Sequence, residues 1–297
     1  MSVHYKQRYF ELGSSSKPRL IEHYDNGTST VTSNGTAPEE NNESKNKSIV
    51  NWNYDCGIQG YYCPKNWVQI PSFPKDVNQC GAINSQSPVE LTYTDHYPNV
   101  QLDYQEVNNR GKITNLGPII RIECSGSNHS VVDGQTYQLR FIDLHTPAEH
   151  TIAQQTFDIE MQLVHTPVTG STQGTSKYSY VIISVLLNGD DRAQGKATQR
   201  SIWDIINNGQ AFVLPKDSRP SIYAQNMLNL HNLAKNVILD KNTYYYSYVG
   251  SLTIPPCTPN VRWVITVPTA NSAKFDQTLR SIVGYNNRPL QVRSVGM

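Results

Sequence analysis

Short β-prone runs, separated by turn residues, dominate the chain from Asn51 onward and constrain its fold more than any other feature. Gly, Pro, Asn and Asp lie between the runs, a spacing typical of β-sheet proteins. The runs are Val89–Thr94, Ile119–Cys124, Tyr137–His145, Phe157–His165, Tyr178–Leu187, Tyr244–Val249 and Val261–Val267. Helical patches are predicted at Ser201–Asn207 and Ile222–Leu230. The pattern predicts one mostly β domain over residues 51–297.

Residues 1–50 differ from the rest of the chain in composition. Residues 14–48 are rich in Ser, Asn, Thr, Gly and Glu and poor in large apolar side chains. Such a segment cannot bury enough surface to offset the entropy of ordering it. We therefore predict a polar, low-complexity tail, or a strap that folds on a partner. Met1–Phe10 lacks the apolar core of a secretory signal, so no signal peptide is recognised.

Charge and hydropathy exclude two classes of partner. Lys plus Arg number 25 and Asp plus Glu number 24, which gives a formal net charge of +1. No basic field is present to hold a phosphate backbone, so we expect no nucleic-acid binding. The longest apolar run, Tyr180–Leu187, is interrupted by Ser184 and is far shorter than the ~20 residues that a transmembrane helix needs.

Two of the predicted strands carry polar side chains at every second position. In the run that ends at His145, a period of two places Phe141, Asp143 and His145 on one face. In the next run, Glu160 and Gln162 share a face. Buried polar rows need hydrogen-bond partners, so they indicate either a functional site or a structural network, and the pattern alone favours the network.

Motifs in these two strands and elsewhere resemble those of the α-class carbonic anhydrases. The similar segments are Trp52, Tyr54, Cys63–Trp67, Gln86–Val89, Leu144–Thr151, Glu160–His165, Gly250–Thr258, Val261–Trp263 and Asn286–Gln291. They follow the family's order over residues 51–292. The resemblance implies a central, mostly antiparallel, ten-stranded twisted sheet with a conical cleft and a few short surface helices.

The three zinc-ligating histidines of that family fall on Asp143, His145 and Gln162 in this chain. An Asp ligand would reduce the positive charge that acidifies zinc-bound water, and a Gln amide is a weak ligand. His165 cannot replace Gln162, because an odd offset places it on the other face of the strand. The resemblance therefore implies a degenerate metal site that we expect to be empty, as in the zinc-ligand-deficient, carbonic-anhydrase-related members, and we expect no cofactor.

Three other positions match residues that support catalysis in the family. Thr253 matches the threonine that orients the zinc-bound hydroxide, and Glu149 matches the carboxylate that accepts the proton of that threonine. Glu160 matches the carboxylate that orients the third histidine, and beside Gln162 it is placed to accept an amide hydrogen bond. We expect Thr253 and Glu149 to persist as vestigial, fold-supporting hydrogen-bond partners.

The chain has five cysteines. Cys80 and Cys257 match two positions that form a disulfide bond in extracellular members of the family. Cys56 and Cys63 could form a second, local disulfide or a metal-binding pair, although no further Cys or His pair completes a zinc site. Cys124 is left over and is expected to be a buried thiol. Disulfides imply an oxidising compartment: the extracellular space, a secretory lumen, the mitochondrial intermembrane space or a virion surface.

Three functions remain open. The one we favour is a catalytically inactive carbonic-anhydrase-like protein that acts as a structural or partner-binding module, either alone or as a subunit of a larger protein assembly. The second is a zinc-dependent enzyme of CO₂ hydration with an atypical Asp/His/Gln site. The third is a glycan-binding surface domain. Its basic candidates are Arg110, Lys112, Arg121 and Arg140, provided that the fold clusters them on the cleft rim.

Overall fold

A computed structural model describes most of the predicted domain and two short pieces before it. The described residues are 10–11, 19–20, 52–71, 77–82, 85–92, 100–104, 111–124, 127–168, 176–187, 222–224, 230–239, 244–267 and 274–292. The strands are β1 (Phe10–Glu11), β2 (Arg19–Leu20), β3 (Glu90–Leu91), β4 (Val100–Asp103), β5 (Gly111–Asn115), β6 (Ile120–Glu123), β7 (His129–Val132), β8 (Gln135–His145), β9 (Thr151–Ile152), β10 (Ile159–Pro167), β11 (Tyr180–Leu187), β12 (Ile222–Ala224), β13 (Tyr244–Ser251) and β14 (Pro259–Val267). The helical segments are a 3₁₀ turn at Trp67–Gln69, α1 (Leu230–Leu233) continued by a π-helical turn at Ala234–Ile238, and α2 (Lys274–Val283).

Ten strands form one sheet, in the order β12-β5-β6-β8-β10-β11-β14-β13, with β7 on the first part of β8 and β4 beyond β7. Its strand pairs are antiparallel except β11 with β14, which run parallel. The predicted fold class is confirmed: a mostly β protein around a mostly antiparallel, ten-stranded sheet with very little helix.

The structure corrects one helix prediction. Every predicted β-prone run contains a strand, but Ile222–Ala224, at the start of a predicted helix, forms β12 and pairs with β5. Ile222 and Tyr223 are β-branched and aromatic, and the open edge of β5 supplies hydrogen-bond partners, so tertiary pairing overrides the local pattern. Residues 225–229 lie outside the described residues, as does the other predicted helix, Ser201–Asn207.

Only four residues of the predicted N-terminal tail are described. They are the strands β1 and β2, which pair antiparallel with Phe10 opposite Leu20. In the described part of the chain, no helix is long and apolar enough to cross a membrane.

Side chains of alternating direction build a separate core on each face of the sheet. On β11, Val181, Ile183 and Val185 pack into the first core, whereas Ile182 and Leu186 pack into the second. The same alternation on β10 sends its apolar residues at odd positions into the first core, and its polar residues at even positions to the side of the second. The polar row of the sequence therefore lies on the second face.

Two disulfide bonds are present among the described residues, and one of them ties the N-terminal part of the domain to the segment between β13 and β14. Cys80 is bonded to Cys257, 177 positions away, and Cys56 is bonded to Cys63. Cys124 is free, and burial raises the pKa of its thiol to about 12, which keeps it protonated and unreactive. The two disulfides indicate an oxidising compartment.

The long-range disulfide is expected to contribute more stability than the local one. In the chain-entropy model, a loop of 177 residues contributes about 5 kcal/mol and a loop of 7 residues about 2 kcal/mol. We predict losses of these sizes for Cys80→Ser/Cys257→Ser and Cys56→Ser/Cys63→Ser, measured by urea unfolding without reductant. Equal losses in the two double variants would contradict this ranking.

His165 lies on the face opposite Gln162, as its odd offset predicts. The Nδ1–H donates to the carbonyl oxygens of Leu163 (2.9 Å) and Val181 (3.2 Å), so Nε2 accepts the hydroxyl of Tyr104 at 2.7 Å. Both nitrogens are therefore engaged in the first core. Burial lowers the pKa of His165 to about 4.

This buried histidine makes stability depend on pH. In the unfolded chain, His165 takes up a proton near its ordinary pKa of about 6.5, but in the folded protein it does so only near 4. The stability that its neutral form contributes is therefore complete above about pH 6.5 and is lost as pH falls toward 4. Titratable neighbours are Tyr104 and His129, and Cys124 lies close to Tyr104.

The free energy of unfolding of the wild type falls between pH 7.5 and pH 4. We predict that this decrease is about 3 kcal/mol smaller in His165→Gln. Denaturant unfolding of wild type and variant at several pH values measures the difference, since the other titrating groups are common to both. Parallel pH curves would show that His165 does not cause this dependence.

Candidate functional site

Neighbouring strands of the sheet place four polar side chains in one row. Arg121 on β6 lies opposite Asp143 on β8, Asp143 lies opposite Gln162 on β10, and Gln162 lies opposite Ser184 on β11. The apolar residues between them fill the first core, so a slip of one residue would send the charges into that core. The register of the row is therefore fixed by hydrophobic burial.

Asp143 and Arg121 form a two-point ion pair. Arg121 Nε donates to Asp143 Oδ1 and Nη2 donates to Oδ2, both at 2.7 Å. The side chains are only 4% and 7% exposed, respectively. The guanidinium carbon also lies 3.7 Å from the centre of the Phe141 ring, two residues before Asp143 on the same face. Stacking and fork geometry together fix the arginine in place.

Gln162 donates its amide protons to two carboxylates. Its Nε2 lies 2.8 Å from Glu149 Oε2 and 3.1 Å from Glu160 Oε1. An ionised carboxylate only accepts hydrogen bonds, so these contacts set the orientation of the amide. The predicted hydrogen bond from Gln162 to Glu160 is present.

Glu160 is fully buried and accepts five hydrogen bonds. Oε2 accepts the backbone N–H groups of Glu149 and His150, while Oε1 accepts from His150 Nδ1, Ser184 Oγ and Gln162. Burial opposes its negative charge, but the groups of His150 outweigh that effect and lower the pKa of Glu160 to about 2. Glu160 is therefore a permanent anion at the centre of the site.

His145 is held through one nitrogen and leaves the other without a partner. Its Nδ1–H donates to the backbone carbonyl of Asn286 at 2.9 Å, whereas Nε2 is buried and has no hydrogen-bond partner among the described residues. Burial works against a charged imidazole, but Glu149 and the bond to Asn286 raise the pKa of His145 above its ordinary value. The hydroxyl of Tyr54, whose ring centre lies 6.3 Å from that of His145, is likewise buried without a partner.

The segment after α2 closes the site from the far end of the chain. Asn286 donates its amide protons to the carbonyls of Pro118 and Leu144 and accepts the N–H of Thr146. The backbone N–H of Arg288 donates to Glu149 Oε1, and the guanidinium of Arg288 donates to the carbonyls of Ser87 and Cys80. Burial lowers the pKa of Arg288 to about 10.

Glu149 and Thr253 are hydrogen-bonded to each other and are almost fully buried. Burial raises the pKa of Glu149, with Glu160 acting in the same direction.

His150 has both ring nitrogens engaged, by Glu160 and by the hydroxyl of Tyr248 at 2.7 Å. Neither His150 nor His165 is thus available as a ligand in this arrangement.

Comparison with known proteins shows the family to which the chain belongs. A family model described as eukaryotic-type carbonic anhydrase matches residues 63–292. The chain belongs to the α-class, eukaryotic-type carbonic anhydrase family. The carbonic anhydrase of Neisseria gonorrhoeae is 26% identical over 240 residues, which are 79% of this chain and 83% of that protein. Dioscorin DB3S of Dioscorea polystachya is 26% identical over 239 residues, 77% of this chain and 79% of that one.

Solved structures of the family share the fold. The α-carbonic anhydrase of Photobacterium profundum superposes with a TM-score of 0.61 at 24% identity, covering 82% of this chain and 97% of the other. A dioscorin solved in complex with ascorbate gives a TM-score of 0.60 at 24% identity, covering 82% and 95%. The relatives therefore include proteins named carbonic anhydrase and proteins named dioscorin.

The donor set of this carbonic anhydrase family member does not fit a zinc ion held by three imidazoles. His145 Nε2 is oriented and lacks a partner, as a ligand nitrogen would. The carboxylate of Asp143, however, is engaged on both oxygens by Arg121. Gln162 contributes a neutral amide whose protons are held by Glu149 and Glu160. One imidazole of the family's three remains.

The structure brings together the six residues predicted for the metal site and its surroundings, and it adds others that the sequence did not reveal; of the glycan candidates, Arg110 lies outside the described residues. Asp143, His145, Gln162, Glu149, Glu160 and Thr253 meet on one face of the sheet. Arg121, considered above as a rim residue for glycans, instead lies buried on Asp143. The family's closing motif indicated the segment of Asn286 and Arg288, but nothing in the local sequence showed their contacts.

We predict strong coupling between Arg121 and Asp143 in stability. Arg121→Gln or Asp143→Asn alone leaves a buried charge without its partner and should cost about 3–5 kcal/mol. The double variant replaces both charges with amides and should cost clearly less than the sum of the two single losses. Denaturant unfolding of the four proteins measures the coupling free energy, and additive losses would contradict a direct ion pair.

Proposed function

We propose that this chain is a zinc-ligand-deficient member of the family that does not hydrate CO₂, and that its domain serves as a structural or partner-binding module. The ion pair between Arg121 and Asp143 carries the proposal. To ligate a metal, Asp143 would have to share its carboxylate with the guanidinium that already holds both of its oxygens at 2.7 Å. The cleft would also have to accept a divalent cation beside a buried guanidinium.

The position of Gln162 supports the same conclusion independently. A ligating amide would offer its oxygen, a weak neutral donor to zinc. In this structure the amide nitrogen is instead held between two carboxylates, and these contacts fix the side chain as part of the hydrogen-bond network. Of the family's three ligand positions, Asp143 is thus paired with Arg121, and Gln162 offers only a neutral amide oxygen.

The composition of the N-terminal segment supports a partner-binding role. Residues 14–48 have too few large apolar side chains to form a core of their own, and such segments commonly order on a partner. Two of the four basic residues considered for a glycan surface are engaged internally, Arg121 with Asp143 and Arg140 Nε with the hydroxyl of Thr166 at 2.8 Å. A protein partner is therefore the better-supported ligand.

One set of contacts favours the enzymatic alternative. Glu149 and Thr253 keep their hydrogen bond, and His145 Nε2 keeps its orientation without a partner. An atypical Asp143/His145/Gln162 zinc site with CO₂ hydration activity is therefore the second candidate function, and the metal content of the protein distinguishes it from the first.

We predict that the purified chain, incubated with excess zinc and desalted, retains less than about 0.1 equivalent of zinc, because stable protein sites need several deprotonated donors. Elemental mass spectrometry gives the zinc content and stopped-flow CO₂ hydration gives the activity. The carbonic anhydrase of Neisseria gonorrhoeae, treated identically, is the positive control. A near-stoichiometric zinc content with hydration activity would overturn the proposal in favour of the enzymatic alternative.

A further inference from the structure

The guanidinium of Arg121 occupies the neighbourhood that a metal bound to residue 143 would need. Arg121 and Asp143 are direct cross-strand partners on β6 and β8. Side chains in such pairs start about 5 Å apart at Cβ, so they share the same space above the sheet. We infer that Arg121 replaces the metal ion as the resident cation of this cleft and by its presence excludes a divalent metal.

This inference deepens the proposed function and rests on it, because it supposes that the chain holds no zinc. It adds a cause. Loss of two histidines would weaken metal binding in any member of the family. A fixed positive charge does something different, since it repels a second cation even where good ligands are supplied.

Arg121 cannot easily withdraw from this position. Its neighbours on β6, Ile120 and Ile122, are buried in the first core opposite Leu144 and Ile142, which fixes the register of the strand. Phe141 packs against the guanidinium, and Asp143 takes two of its N–H groups. Withdrawal of the side chain would break the contacts with both Phe141 and Asp143, and the register of β6 prevents the strand from moving with it.

Restoring the missing histidines separates the two causes. The first protein to compare is Asp143→His/Gln162→His, which regains three imidazoles and keeps Arg121. The second is the same protein with Arg121→Gln, which removes the charge. A matched control adds Arg140→Gln to the first protein, because Arg140 is a partly buried arginine on β8, the strand of residue 143, and contacts Thr166 instead of the site.

The measurement is the affinity for Zn²⁺ by isothermal calorimetry and for Co²⁺ by its visible absorption. We expect Arg121→Gln to tighten both affinities in the histidine-restored protein by about 10–100-fold, the range seen when groups around a metal site are changed. Arg140→Gln should leave both affinities unchanged. Equal affinities with and without Arg121, or no metal binding by either folded protein, would overturn the inference.

Asp143→His leaves Arg121 without its anion and so destabilises the first protein; a second comparison at position 121 covers that loss of stability. Arg121→Lys and Arg121→Gln in the histidine-restored chain differ in the charge at this position, and the Gln variant should bind metal more tightly. Failure of the proposed function has a different signature, since it would show as zinc retained by the unmodified chain.

Discussion

Each buried carboxylate on this face of the sheet needs a positive charge or hydrogen-bond donors from the protein, and the rest of the site depends on that constraint. An isolated ionised carboxylate in such a place costs several kcal/mol, so each must find donors within the protein. Asp143 has Arg121, and Glu160 has five hydrogen bonds. Glu149 has the backbone of Arg288, the hydroxyl of Thr253 and the amide of Gln162. Each of these carboxylates thus has hydrogen-bond donors from the described part of the protein.

The resemblance implies histidines at positions 143 and 162. The Asp and Gln that stand there make hydrogen bonds that hold the site together. Gln162 still donates to Glu160, the contact that the family resemblance assigns to the third histidine. His145 still donates to the carbonyl of Asn286, which ties β8 to the segment after α2. The Asp at position 143 introduces a negative charge, and Arg121 across the strand pair supplies the opposite one. Asp at position 143 and Gln at position 162 are thus compatible with a hydrogen-bonded scaffold.

The alternation within each strand could be predicted from the sequence on physical grounds, whereas the sheet architecture and the residues of the site were implied by the family resemblance. A period of two placed Asp143 with His145 and placed His165 away from Gln162, because alternation is local to each strand. The helix prediction was wrong for Ile222–Ala224 because these residues pair with β5, where Ile222 lies opposite Ile113, 109 positions away. The role of Arg121 depends on the register between β6 and β8, which no pattern within either strand specifies. The contacts of Asn286 and Arg288 likewise depend on how the chain end returns to the sheet.

The most direct test of the account is a crystal structure of the zinc-soaked protein with anomalous data collected at the zinc absorption edge. The account predicts density for the Arg121 guanidinium on both oxygens of Asp143 and no anomalous peak beside His145. A peak about 2.0–2.1 Å from His145 Nε2, the length of a zinc–imidazole bond, with Arg121 turned away from Asp143, would contradict it.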